Sequence, residues 1–133
     1  MNRASTRATC VYTQLAYSIA LHAVFVELPA FERHRADYLD DAAFADLQEV
    51  LMTKPTAGKV MRGTGGLRKL RVADARRCKG KRGGIRVIYY WWERGLQFWL
   101  FTLYDKDELE NLTPDQAREL GVMVKLELSR RRI

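Results

Sequence analysis

Cysteine and histidine are scarce in this sequence, and no long hydrophobic run interrupts it. Only Cys10 and Cys78 occur, far apart and outside any CxxC spacing. Two thiols cannot staple a small secreted scaffold, so a reducing, cytoplasmic setting is expected. The two histidines, His22 and His34, join neither cysteine at the spacing of a zinc site. No metal or cofactor is therefore expected. No stretch approaches the ~20 apolar residues of a membrane span, which leaves no expected membrane partner. The glycine-rich run Gly63-Thr64-Gly65-Gly66 lacks the Lys-Ser/Thr ending of a nucleotide-binding P-loop. A helix-turn-helix pattern with a basic recognition helix is also missing, because the cations fall on expected strands and loops.

What the sequence has is positive charge, concentrated in one segment. The chain carries a net +7, but residues 54–94 alone carry +11, from thirteen Lys/Arg against Asp74 and Glu93. Residues 27–53 carry −5. A basic block bordered by acidic segments reads as a phosphate-facing surface rather than a charge mixture kept for solubility. At 133 residues and 47% hydrophobic, the chain is long enough for one domain with a real core. Residues 1–21 hold Arg3, Arg7, many Ser/Thr and no acid. Thr13, Gln14, Tyr17 and Ser18 break that stretch before it reaches signal-peptide quality. It is taken as an extension with no assigned role, ahead of a single domain over residues 22–133.

Periodicity gives the elements. Residues 22–28 (HAVFVEL) read as a strand, followed by a short helix over 31–39. A second helix, capped by Asp40 or Asp41, aligns Phe44, Leu47, Val50 and Leu51, and Pro55 stops it. Residues 67–73, 85–92 and 97–104 read as strands, the last two joined by a tight turn as a hairpin. Thr113-Pro114-Asp115-Gln116 carries a capping box and starts a helix lined by Leu120, Val124 and Leu128. The expected class is α+β, in the order β-α-α-β-β-β-α. A twisted, mostly antiparallel sheet would carry its helices on one face.

The chemistry must then come from cations. Carboxylates cluster in 27–49 and 105–119, where helix caps and solvated faces account for most of them. Lys69 and Arg71 share one face of the second expected strand, with Arg68 on the other, and Arg86 leaves the third. Cleaving RNA requires a base for the 2′-hydroxyl, neutralisation of the phosphorane and an acid for the 5′-oxygen. A lysine with a lowered pKa, arginines, and a further Arg, Lys or Tyr can fill those roles without histidine. Arg68, Arg76, Arg77, Lys79, Lys81 and Arg82 are the expected RNA-binding cations. Tyr89, Tyr90, Trp91 and Trp92 interleave with the block and can stack on bases, although about half must enter the core.

Three ordered segments then carry a resemblance: 63–71 (GTGGLRKLR), 79–90 (KGKRGGIRVIYY) and 104–113 (YDKDELENLT). With 31–41 (FERHRADYLDD) and the turn 54–58 (KPTAG), the chain from about Val24 to Leu128 resembles HigB-type toxins of the RelE/ParE superfamily. The resemblance implies a type II toxin–antitoxin toxin, a metal-independent endoribonuclease that cuts mRNA in the ribosomal A site and arrests growth. It implies a cognate HigA-like antitoxin, often bearing a helix-turn-helix, through which alone DNA is contacted. Catalytic positions carried over are Lys69, Arg71, Arg86, Lys106 and, more weakly, Tyr104. In RelE-like members the corresponding tyrosine sits later, and such toxins generally begin at the first strand. Alternatives are a ParE-like toxin inhibiting gyrase and a non-catalytic nucleic-acid-binding regulator. Arg71 and Arg86 are expected to be partly exposed strand residues, so replacing either with alanine should abolish growth inhibition and leave the fold intact.

Overall fold

In the computed structural model of the chain, the described residues are 7–14, 20–73, 84–105 and 113–131. Two strands open the chain, β1 (Arg7–Gln14) and β2 (Ala20–Glu27), followed by α1 (Pro29–Tyr38) and α2 (Asp41–Thr53). Pro29 fits the first turn of α1, where its missing N–H costs nothing. Asp40 caps α2 by accepting from the Ala43 amide at 2.8 Å. A short strand, β3 (Lys59–Val60), then pairs with β4 (Arg68–Val72). The chain continues through β5 (Ile85–Trp92), β6 (Gln97–Asp105) and α3 (Pro114–Arg131). The capping box is reciprocal: Gln116 N–H donates to Thr113 Oγ1 at 3.1 Å, and Thr113 N–H donates to Gln116 Oε1 at 2.9 Å.

The strands form one six-stranded sheet in the order β1-β2-β6-β5-β4-β3. Every neighbouring pair is antiparallel except β2 and β6, which run parallel with Phe25 beside Phe98. The class is α+β, as expected, but two strands join the expected order. Strand β1 adds eight residues of pairing beyond β2, and β3 makes a hairpin with β4. The parallel pair makes the sheet mixed.

The expectation of helices on one face is corrected. On one side, Phe25, Tyr89, Phe98 and Leu100 pack against Phe31, Phe44, Leu47 and Leu51 of α1 and α2. On the other side, Leu67, Ile88, Trp99 and Phe101 pack with Leu120, Val124 and Leu128 of α3. The physical reason is that β5 and β6 are apolar on both faces, so a bare second face would leave large aromatic surface in water. Each large side chain buried there is worth roughly 1.5–3 kcal/mol. Strand β6 carries a bulge: Ile88 faces Thr102 while Tyr89 faces Leu100, leaving Phe101 as the extra residue. That bulge puts Trp99, Phe101 and Tyr104 together on the α3 side, in one buried cluster with Ile88.

Candidate active site

The basic residues of β4 are held in place by two small devices, both dictated by local sequence. The first is the turn before β3. The buried Tyr89 hydroxyl donates to Pro55 O at 2.7 Å and accepts from Gly58 N–H at 3.0 Å. A side chain at Gly58 would strike the Tyr89 ring at 2.9 Å and the Lys69 backbone at 3.1 Å, so only glycine permits this approach. The second device is the loop joining β3 to β4. Gly63, Gly65 and Gly66 take positive φ, and buried Thr64 donates to Met61 O at 2.7 Å while accepting from Leu67 N–H at 3.1 Å. Gly121 of α3 lies against that loop, near enough that a Cβ would sit 3.3 Å from Gly63 O. The glycine-rich run is thus a hairpin turn and a seat for α3.

Register then assembles the cations. Arg71 stands directly opposite Arg86, and Arg86 directly opposite Tyr104, in one row across β4, β5 and β6. The next row on the same face runs Lys59, Lys69, Ile88 and Thr102. Directly opposite residues have Cβ atoms ~4.5–5.5 Å apart, and residues two apart along a strand are ~7 Å apart. Lys59, Lys69, Arg71, Arg86 and Tyr104 therefore share one compact patch. Lys59 and Arg71 are exposed, Lys69 is half-buried, and Arg86 and Tyr104 are buried.

The electrostatics follow from this placement. Burial, followed by the charges of Arg86, Arg71 and Lys59, pushes the Lys69 ammonium below its ordinary value. Burial pushes the Tyr104 hydroxyl up, and the neighbouring Arg86 charge pulls it part of the way back. That hydroxyl is buried with no hydrogen-bond partner among the described residues. The patch thus contains an amine that loses its proton more easily than usual, two guanidiniums and a phenol that keeps its proton. This is a donor–acceptor set suited to a phosphodiester: a base, two fixed positive charges and an acid.

Not every expected site residue joins it. Arg68 lies on the opposite face of β4, facing Tyr89, and donates to Gly58 O at 2.8 Å. Its described role is to clamp the turn that Tyr89 also holds. Lys106, Arg76, Arg77, Lys79, Lys81 and Arg82 lie outside the described residues. Arg86 is 5% exposed, which corrects the expectation of a partly exposed side chain. It sits mid-sheet on β5, flanked by β4 and β6, whereas Arg71 is on the shorter β4 and is exposed. Lys59 was missed because a two-residue strand leaves no alternation to read. The available signal was a Gly-Lys-Val step and a basic strand on either side of a glycine-rich turn.

Among the described residues, no group of three or more His, Cys, Asp or Glu side chains is placed to hold a metal ion. No helix among them is long and apolar enough to cross a membrane. No protein-family model matches the sequence. Among solved structures, the chain is similar to a doubly mutated Escherichia coli toxin RelE in the free state. The similarity has a TM-score of 0.42 at 13% identity and covers 70% of this chain and 90% of that one.

Proposed function

We propose that this chain is a RelE/HigB-type toxin, a metal-independent endoribonuclease that cuts mRNA on the ribosome and so blocks translation. The observation that carries the reading is the strand register, which sets Arg71, Arg86 and Tyr104 in one row with Lys69 beside it. The sequence motifs around the same residues support it, since 63–71, 79–90 and 104–113 bear the toxin resemblance.

In this reading, neutral Lys69 takes the proton of the 2′-hydroxyl, and the 2′-oxygen attacks the adjacent phosphorus. Arg71 and Arg86 stabilise the charge of the phosphorane. The bond to the 5′-oxygen breaks, and that oxygen takes a proton from Tyr104 or Lys106. The products are a 2′,3′-cyclic phosphate and a 5′-hydroxyl. The partners are the ribosome, its mRNA and a cognate HigA-like antitoxin with a helix-turn-helix domain, through which DNA is reached.

The test is expression of the chain with and without the product of the neighbouring gene, followed by mapping of mRNA 5′ ends. Growth arrest with new 5′-hydroxyl ends inside reading frames is expected, relieved by the neighbour. Growth arrest with intact mRNA and inhibited gyrase would move the chain to the ParE-like alternative.

A further inference from the structure

The aromatic run at 89–92 is only half absorbed by the core. Tyr89 faces α1 and α2, fully buried, with its hydroxyl committed to the turn at Pro55 and Gly58. Tyr90 and Trp92 alternate onto the other face, the one that bears Arg86 and Ile88. Both pack against buried Trp99, with ring centroids 5.1 Å and 5.6 Å away, and both remain partly exposed.

With the last turn of α3, these rings line a groove whose other walls are Trp91, Glu93, Arg94, Leu128 and Arg131. Arg131 is fixed there: its guanidinium lies 5.1 Å over Trp99 and donates to Gln97 Oε1 at 3.2 Å and to Glu127 Oε1 at 3.3 Å. Arg94 is exposed at the rim. Gly66, at φ +113, lies close enough to the Tyr90 ring that a Cβ would meet it at 3.1 Å, so the loop chain passes directly beside the aromatic floor.

An aromatic floor with guanidinium groups at its rim suits a flat ring tethered to a phosphate. Stacking supplies a contact that any base satisfies, and the arginines supply the counter-charge. An apolar peptide would use the rings and Leu128 but would offer nothing to the exposed Arg94 at the rim. The groove also continues the cation patch along one strand and one face. From Arg86 to Tyr90 is four residues, about 13 Å.

The geometry points to this groove as a second RNA subsite, in which an unpaired base stacks on Tyr90 and Trp92 while Arg94 and Arg131 hold its flanking phosphates. The inference rests on the reading of the chain as an RNA-acting protein, and it specifies single-stranded RNA as the occupant. The site is separate from the bond-breaking row, so it would set affinity and register without taking part in the chemistry.

The test uses the full chain and a short single-stranded oligoadenylate. The three tryptophans, two of them lining the groove, serve as the fluorescent reporter. Binding should quench tryptophan emission. Trp92→Leu should weaken affinity about tenfold, the size of one base–aromatic stack, and Trp92→Phe should restore most of it. Because Trp92→Leu also removes packing on Trp99, the exposed Arg94→Glu is the second variant. It should weaken binding and flatten its salt dependence with an unchanged melting temperature. The same RNA annealed into a duplex should not quench.

Unchanged affinity in both Trp92→Leu and Arg94→Glu would overturn the subsite, even if mRNA cleavage is intact. Loss of binding in both variants, in a protein that cuts no mRNA on ribosomes, would keep the subsite and discard the nuclease reading. A concentration-dependent dimer abolished by Trp92→Leu, with RNA affinity unaltered, would assign the groove to a second copy of the chain.

Discussion

Arg86 and Tyr104 stand directly opposite each other on β5 and β6, both buried, with the arginine's charge pulling down a hydroxyl pKa that burial pushes up. Arg71 extends the same row on β4 but is exposed. The two arginines therefore differ in what their removal does. Arg71→Ala should abolish growth arrest while shifting stability by no more than about 0.5 kcal/mol, as surface changes do. Arg86→Ala should abolish it too but also cost about 1–3 kcal/mol, because buried partners lose their donor. Thermal melts of the purified variants beside toxicity plating separate the two. Full toxicity in a folded Arg71→Ala protein would remove that residue from the site.

Under the proposed reading, the rate of RNA cleavage should rise with pH. Lys69 is pushed below its ordinary 10.5 by burial and then by Arg86, Arg71 and Lys59, and only its neutral form can accept the 2′-proton. Single-turnover rates should climb through the lowered pKa and level off above it. Lys59→Gln removes one of the like charges, so the rising limb should move to higher pH with the plateau largely kept. Lys69→Arg should remove the limb along with most activity. Stability carries the matching sign. Between the lowered pKa and 10.5 the folded chain holds less proton at Lys69 than the unfolded chain, so this residue's contribution to stability improves as pH rises through that window. A flat profile in the wild type would take Lys69 out of the role of base.

Much of this was legible in sequence where the signal is local. The capping box at Thr113 and Gln116, the cap at Asp40 and the β5–β6 hairpin all follow from short-range rules. Lys69, Arg71 and Arg86 could be assigned to strands by alternation. What could not be read was pairing at a distance. The stripe of Leu120, Val124 and Leu128 is the same whichever face of the sheet it meets, so the side taken by α3 was open. The parallel pairing of β2 with β6 joins segments some seventy residues apart (about half the chain) and leaves no local mark. Arg68 shows the limit for the site, since alternation gave its face but not that carbonyls at Gly58 and Thr56 would claim it.

The turn before β3 should matter more than its surface position suggests. Gly58→Ala would press a methyl against Tyr89 and the Lys69 backbone, and overpacking of that kind costs about 1–3 kcal/mol. Gly63→Ala meets nothing within 4 Å and suffers only its positive φ, so it should cost about 1 kcal/mol. Urea unfolding of the two variants measures the difference. Activity should fall more for Gly58→Ala, because the strain lands on the strand that carries Lys69.

Strand β1 pairs along all eight residues of β2. Removing residues 1–19 would expose the β2 edge, whose sequence ALHAVFVE is mostly apolar. Although α2 also touches β1, the buried cluster that α1 and α2 form with Phe25, Tyr89, Phe98 and Leu100 is supplied by β2, β5 and β6, so the shortened chain should fold. It should also self-associate, as bare apolar edges do. Circular dichroism and sedimentation velocity read the two outcomes separately. An unfolded truncation would make β1 part of the cooperative unit rather than an added edge.

The last expectation concerns where the RNA is cut. A free-standing ribonuclease needs an efficient base and acid on either side of the phosphate. Here the proposed base is Lys69, which must first lose a proton, and the phenol of Tyr104 is buried without a hydrogen-bond partner among the described residues. Arginine cannot serve as a base, because it stays protonated at any accessible pH. The patch is therefore strong in holding the phosphorane and weak in proton transfer. Such a site gains most when the RNA arrives already bent into line for attack, since orientation can supply several kcal/mol of a barrier. A ribosome that holds the mRNA in one orientation would provide that geometry. Cleavage of mRNA on programmed ribosomes should thus be at least about a hundredfold faster than on the same RNA free in solution. Binding to ribosomes should weaken steeply as salt rises, because the proposed contacts are to phosphates. Equal rates on naked and ribosome-bound RNA would show that the side chains alone organise the reaction, and the chain would then be a free ribonuclease.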